Sequence, residues 1–256
     1  MAIRKRVKEF LRRNHLWGLA STIWFFKRNI NNPPLGSIDQ ILEKYSAWRG
    51  DVFFVQIGSH EGADNDPLVR MVKRNNWPGL LVEPMKYLFD RLRSNYSGQH
   101  GLIFENSAIS DSDGEKNFYY LKASEEQMSK WPTWYTQLGS FMPEIILRHE
   151  CRIPDIKKYI ISTKVNCLTF SSLLTKHNIK KVDLICIDTE GFDYKIIKTI
   201  DLLSAKPDII IFEYIHLSDG DYRRCTQYLK RNGFRLFRDS PNIAAVSIPL
   251  SKHLLI

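Results

Sequence analysis

From residue 52 onward, short continuous apolar runs alternate with segments whose apolar positions recur every three or four residues. Val52-Phe53-Phe54-Val55-Gln56-Ile57 is the first run, closed by Gly58. Asp66-Pro67 then reads as an N-cap and first helical residue for a helix reaching about Asn75. Gly79 to Val82 is a second buried strand ending at Glu83-Pro84, and a helix is expected from about Met85 to Asn95, with Leu88 and Leu92 on one face. A third strand is expected from Leu102 to about Ile109, a turn at Asp111-Ser112-Asp113-Gly114, and a strand from Lys116 to Leu121 pairing back. Upstream, Ser37 with Gln40 three residues later is a capping-box signature for a helix through about Ala47.

The regularity is lost over residues 122–160, where Trp131, Trp134, Tyr135, Gly139, Pro143 and Pro154 are scattered, and an insertion rather than a separate domain is expected. Order returns with a strand around Ile160 to Val165, a helix around Phe170 to His177, and the run Val182 to Ile187 that ends at Asp188. A helix over about Tyr194 to Leu203, a strand Asp208 to Phe212, a helix Tyr222 to Asn232 and strands near Phe234 to Phe237 and Ile243 to Ile248 complete the pattern. Such alternation predicts an α/β fold, a mostly parallel sheet covered by helices on both faces, which binds ligands beyond the carboxyl ends of its strands. The chain of 256 residues is long enough for one domain with an attachment. We divide it into an arm and linker, residues 1–36, and a main domain, residues 37–256.

Charge sharpens that division. Eight basic residues, Arg4, Lys5, Arg6, Lys8, Arg12, Arg13, Lys27 and Arg28, against Glu9 give residues 1–31 a charge of +7 out of the chain's +9. The nearly neutral body argues against nucleic acid as a partner. Leu16 to Phe26 is mostly apolar but 11 residues long, against the roughly 20 needed to cross a bilayer. No small-residue cleavage site follows it, so secretion is not expected. Ile3, Val7, Phe10, Trp17 and Trp24 recur near helical spacing among basic residues. Such a helix either lies peripherally in an anionic headgroup layer or packs on the main domain. Asn31-Asn32-Pro33-Pro34-Leu35-Gly36 ends it. Cys151, Cys167, Cys186 and Cys225 form no CxxC pair, and a reducing cytoplasmic setting is expected.

The strand ends carry the candidate chemistry. Gly58-Ser59-His60-Glu61-Gly62 places glycines four apart, which lets backbone turn tightly against a ligand. Glu83 closes the second strand, where an acid can accept hydrogen bonds from ribose hydroxyls. Asn106-Ser107-Ala108 closes the third and can read an adenine edge. Asp188-Thr189-Glu190-Gly191-Phe192-Asp193 closes the fourth.

Taken in order, Val55 to Gly62, Val82-Glu83-Pro84, Asn106 to Gly114 and Ile187 to Gly191 resemble the motifs of the FkbM family of class I S-adenosylmethionine-dependent methyltransferases. The resemblance covers about Val52 to Ile248. It implies a Rossmann-like seven-stranded sheet whose last strand is antiparallel, S-adenosylmethionine as cofactor, and O-methylation of a sugar, glycan or polyketide-like small molecule. It further implies cofactor contacts from Gln56, Gly58, Ser59, His60, Gly62, Asp66, Glu83, Pro84, Asn106, Ser107, Ala108 and Asp188. Many relatives carry an acid where this chain has Gln56, and an uncharged amide holds an amino group less strongly than a carboxylate. His60 and Glu61 are also bulkier than expected in such a loop.

Methyl transfer from a sulfonium is an in-line displacement, so alignment and removal of a hydroxyl proton are the protein's tasks. His216, three residues past Glu213, is the first candidate for the base; a loop histidine without a chemical role is the competing reading. Asp188, Glu190 and Glu213 orient the acceptor in one reading. In another, with Asp188 and Glu213 foremost, they hold a divalent cation. Trp131, Trp134 and Tyr135 form either an acceptor wall or the packing of a long loop. Two rival functions stand beside these. A nicotinamide-dependent oxidoreductase is disfavoured by the missing GxGxxG and the lack of a Tyr-x-x-x-Lys pair near a plausible catalytic serine. The other is a non-catalytic, membrane-associated module that keeps the fold.

Overall fold

The computed structural model describes residues 36–62, 66 and 68–256. The expectations for the arm, and for Pro67 as first helical residue, lie outside the described residues. Among the described residues, no helix is long and apolar enough to cross a membrane.

Helix α1 (Ile38–Arg49) is capped as its sequence signature predicts: the Ser37 side chain accepts from the Gln40 amide, and Ile38, Ile41, Leu42 and Tyr45 are buried. Strand β1 (Phe54–Ile57) is buried at every position and leads, through the glycine loop, to α2 (Val69–Asn75). Asp66 is not the N-cap expected from the sequence: that position is Leu68, which has no side-chain cap bond, and Asp66 Oδ1 accepts from the Leu68 amide at 2.7 Å, one residue before the helix. Strand β2 (Gly79–Val82), α3 (Lys86–Asn95) and β3 (Leu102–Glu105) follow.

The third apolar run is two strands rather than one. β3 stops at Glu105, and β4 (Ala108–Ile109) belongs to a different sheet. The cause is Asn106, whose amide nitrogen donates to the carbonyls of Glu83 at 2.8 Å and Pro84 at 3.0 Å and turns the chain out of the main sheet. β5 (Gly114–Leu121) does not pair back on the strand before it. Within residues 122–160 lie the short helices α4 (Glu125–Met128) and α5 (Pro143–Ile146), with several single 3₁₀ turns. The partner of β5 comes beyond them: it is β6 (Ile160–Leu168), antiparallel, with Gly114 opposite Cys167 and Leu121 opposite Ile160. With β4 parallel on the other side, the order of this three-stranded sheet is β4-β6-β5.

After α6 (Phe170–Lys176) and β7 (Leu184–Ile187), the helix expected over 194–203 is divided into α7 (Asp193–Ile197) and α8 (Leu202–Ala205). Asp201 starts the second by accepting from the Leu203 and Ser204 amides. Then come β8 (Ile209–Glu213), α9 (Asp219–Arg231), β9 (Phe234–Asp239), β10 (Asn242–Ser247) and α10 (Ile248–His253).

The main sheet has seven strands in the order β3-β2-β1-β7-β8-β10-β9. β1, β2, β3, β7 and β8 are parallel, and β10, the last in the chain, runs antiparallel to both neighbours. Alternate residues feed two cores: Val55, Ile57, Ile185 and Ile187 pack on one face, Phe54, Leu184 and Cys186 on the other. Burial on both faces is why these strands read as unbroken apolar runs. The four cysteines are free thiols, and all but Cys151 are buried.

Candidate active site

The carboxyl ends of β1, β2, β7 and β8 open onto one crevice, bordered by residues from all four and by Ser107, Ala108 and Ile109. At Gly58 φ is +79°, and a Cβ there would lie 1.8 Å from the Asp188 carbonyl oxygen. Only glycine lets β1 turn this close to the end of β7. The amides of Gly58 and Ser59 both donate to the Val82 carbonyl at 3.0 Å, and the Val82 amide donates to Ser59 Oγ at 3.2 Å, locking the turn to β2. At Gly62, also at positive φ, the ring of Tyr96 fills the space a side chain would need.

Glu83 sits at the centre of this turn. Its Oε2 accepts from the His60 amide at 2.9 Å and its Oε1 from the Met85 amide at 2.8 Å. Burial pushes its carboxyl up to about 7 against the pull of those two donors. His60 reaches this geometry with φ +49°, and burial lowers the basicity of its ring. The bulk of this loop does not close the crevice: His60 borders it, while Glu61 turns aside to Arg91 at 3.2 Å. Asn106, expected as an adenine reader, spends its amide on the Glu83-Pro84 carbonyls; Ser107 and Ala108 are the residues of that triplet that border the crevice.

Gln56 Nε2 donates to Asp66 Oδ2. Beyond this pair the crevice is strongly acidic. Asp188 keeps its surface open to the crevice although protein packs round it, and that packing and the charge of Asp66 push it up to about 6. Asp193 is buried completely. It joins the ends of β7 and β8 by accepting from Thr189 Oγ1 at 3.2 Å and from the amides of Gly191 and Glu213 at 3.3 Å each. Burial, then Asp188, push it up to about 8. Glu190 holds a left-handed backbone, φ +49°, and its carbonyl accepts from Ser140 Oγ at 2.9 Å, tying the 122–160 segment to the acidic loop. Glu190 and Glu213 are both displaced well upward, first by burial and then by neighbouring carboxylates.

His216 does not border the crevice. Its Nε2 lies 3.1 Å from Glu190 Oε2 and 3.7 Å from Glu213 Oε2, the two glutamates that do border the crevice. The cation grouping that forms is therefore Glu190, Glu213 and His216, whose ligand atoms all lie within 4.8 Å of one another, rather than Asp188 with Glu213.

Trp131, Trp134 and Tyr135 do not border the crevice. They pack with Leu138, Ile146, Ile153 and Ile156 in a satellite core inside the insertion. The aromatic wall is made by Tyr87, Phe118, Tyr120 and Phe141 instead, which sequence reasoning missed. Phe118 and Tyr120 are two apart on β5 and so share a face, the one local signal that could have found them. Asp193 and Ser140 were missed as well, because their partners lie on other elements.

A mostly parallel sheet with this strand order, a glycine turn after β1 and an acid after β2 make this a Rossmann-like fold of the class I methyltransferase kind. A family model described as the methyltransferase FkbM domain matches residues 56–236, and this chain belongs to that family of S-adenosylmethionine-dependent methyltransferases. Among solved structures, a methyltransferase FkbM from Methylobacillus flagellatus KT is similar with a TM-score of 0.50 at 10% identity, over 83% of this chain and 48% of that one. This chain thus spans about half the length of that relative. A ribosomal protein L11 methylase from Lactobacillus delbrueckii subsp. bulgaricus is similar at 11% identity, over 81% of this chain and 74% of that one, with a TM-score of 0.40. No curated protein matches the chain in sequence.

The residues present fit the cofactor the family implies. Gln56 Oε1 and Ser107 Oγ are buried at the crevice without a hydrogen-bond partner. The glycine turn leaves room for close backbone approach, and an acidic lining suits a ligand carrying a sulfonium and an ammonium group.

Proposed function

We propose that this chain catalyses O-methylation of a hydroxyl on a sugar, glycan or polyketide-like small molecule. One observation carries the reading: a single crevice is lined by Glu83 and the glycine turn together with the rings of Tyr87, Phe118, Tyr120 and Phe141 and the acids Asp188, Glu190 and Glu213. Glu83, already fixed by two backbone donors, keeps lone pairs for a ribose diol. Gly58, Ser59, His60 and Gly62 would hold the amino-acid tail, Ser107 and Ala108 the base, and Gln56, Asp66 and Asp188 the charged groups. Asp66, accepting from Gln56 Nε2, brings a carboxyl group beside the position where Gln56 itself has none.

The bound cofactor supplies an electrophilic methyl group. The chain's own residues must seat the acceptor, exclude water and orient the hydroxyl. Tyr87, Phe118, Tyr120 and Phe141 offer flat faces for a sugar ring or an apolar acceptor. Glu190 and Glu213 are the crevice groups that would orient the hydroxyl, and His216, 3.1 Å from the first and 3.7 Å from the second, is a positioning residue. The nearly neutral body supports a small-molecule acceptor over nucleic acid. Calorimetry with S-adenosylhomocysteine tests the core of the reading: micromolar binding that Glu83→Ala abolishes is expected. No binding by the wild-type chain would favour the non-catalytic module.

A further inference from the structure

We infer that Glu190, Glu213 and His216 bind one divalent first-row metal ion, of the Mn²⁺ or Zn²⁺ class, at the acceptor end of the crevice. The inference deepens the reading above and rests on it for what the ion would do there, but the binding itself is measurable without cofactor or acceptor.

Three features carry it. The first is spacing. Ligand atoms each about 2.1 Å from a common ion are roughly 3.0 Å apart at octahedral and roughly 3.4 Å apart at tetrahedral angles. His216 Nε2 lies 3.1 Å from Glu190 Oε2 and 3.7 Å from Glu213 Oε2, and the three groups converge within 4.8 Å. Small adjustments of these side chains bring the atoms to coordinating distance.

The second is the state of the carboxylates. Glu213 is 6% exposed, and its Oε2 is buried without a hydrogen-bond partner, as is Glu190 Oε2. His216 Nε2 is near both oxygens without making a well-formed hydrogen bond to either, and burying carboxylate oxygens so poorly compensated is costly, a cost that a cation removes. Among the described residues, neither glutamate forms an ion pair with a lysine or arginine within 4.0 Å.

The third is rigidity in the surrounding shell. Ser140 Oγ fixes the Glu190 carbonyl, and Asp193 accepts from the amides of Gly191 and Glu213, so both ligand-bearing backbones are pinned before any ion arrives. Outer contacts of this kind orient metal ligands. Two carboxylates with one imidazole suit Mn²⁺ or Zn²⁺ better than an all-oxygen set would. Because Glu190 and Glu213 border the crevice, an ion held there would keep an open coordination position toward the acceptor and would polarise its hydroxyl.

The test uses the full chain, stripped with chelator and exchanged into metal-free buffer. Mn²⁺ is titrated in while electron paramagnetic resonance reads the free ion, and Zn²⁺ is then added as competitor. One Mn²⁺ per chain is expected, displaced by Zn²⁺. Glu213→Gln and His216→Ala are each expected to weaken binding tenfold or more, and the exposed control Glu126→Gln to leave it unchanged. Wild-type protein that binds substoichiometric Mn²⁺, or binds it no tighter than Glu213→Gln and His216→Ala do, overturns the inference. S-adenosylhomocysteine calorimetry on the same samples separates the two failures. Cofactor binding without Mn²⁺ binding removes the metal alone, and Mn²⁺ binding without cofactor binding removes the methyltransferase reading alone.

Discussion

Replacing Gly58 by alanine should cost far more than its one added methyl group suggests. The residue sits at φ +79°, a conformation that costs an L-residue roughly 1–2 kcal/mol. Its new Cβ would lie 1.8 Å from the Asp188 carbonyl oxygen, which is backbone of the adjoining strand end and cannot swing away as a side chain could. Relief requires the ends of β1 and β7 to part by more than an ångström. That strains the Asp188 amide bond to the Ile57 carbonyl and the Gly58 and Ser59 amide bonds to Val82, each 3.0 Å long and each worth about 1 kcal/mol net. The expected loss is therefore ~3–5 kcal/mol. Gly50→Ala is the control: φ is +73° and nothing lies within 4 Å of its Cβ position, so backbone strain alone applies. Urea unfolding of the two variants measures the difference, and at roughly 2–4 °C per kcal/mol for a domain of this size a thermal melt should separate them too. If Gly58→Ala loses no more stability than Gly50→Ala, the close approach of β1 to β7 is wrong, and with it the account of the cofactor seat.

Three further outcomes follow from the same geometry. Because burial lifts Glu83 from its ordinary 4.5 up to about 7, the folded chain holds that proton more tightly than the unfolded chain does; its contribution is fully present below about pH 4.5 and is lost as pH rises through about 7. Urea titrations across this range should show a loss on the order of 3 kcal/mol in the wild type that is missing from Glu83→Gln, and parallel curves for the two would contradict it. Ser140→Ala removes a fully buried hydroxyl that donates to the Glu190 carbonyl and accepts from the Met142 amide. It should cost roughly 1–3 kcal/mol in urea unfolding, and a change below ~0.5 kcal/mol would show that the insertion is not anchored there. Deleting residues 1–31, which carry +7, should abolish co-sedimentation with anionic liposomes if the arm meets membranes, whereas equal sedimentation of both forms would end that idea.

What the sequence disclosed, and what it hid, follows the range of the interactions involved. Strands buried on both faces announce themselves by composition, so β1, β2, β7 and β8 were legible within a residue or two, as were the glycine turn and Glu83 at their ends. The α7–α8 break was also written locally, in Asp201 as a cap, but was masked by continuous apolar periodicity on either side. The split of the third strand was not local: it depends on Asn106 finding two carbonyls more than twenty residues earlier. Nor was the pairing of β5 with β6, whose intervening 38 residues carry no periodicity that says where the chain returns.

The site divides along the same line. Residues that act through backbone conformation at a strand end, such as Gly58, stand in recognisable order. Those that act by joining two strand ends do not. Asp193 was visible only as one acid among three, yet its carboxylate reaches both the Gly191 amide beyond β7 and the Glu213 amide on β8. It thereby sets the distance between Glu190 and Glu213. His216 looked like a solitary base because its spacing from Glu213 is local, whereas its shorter contact is to Glu190, 26 residues earlier. Three groups that seemed to offer separate roles thus form one unit. A substitution at any of them should disturb the other two, so their effects on metal binding or turnover should fail to add in double-mutant cycles. Glu83, whose partners are the His60 and Met85 amides and none of these three residues, should combine with each of them additively.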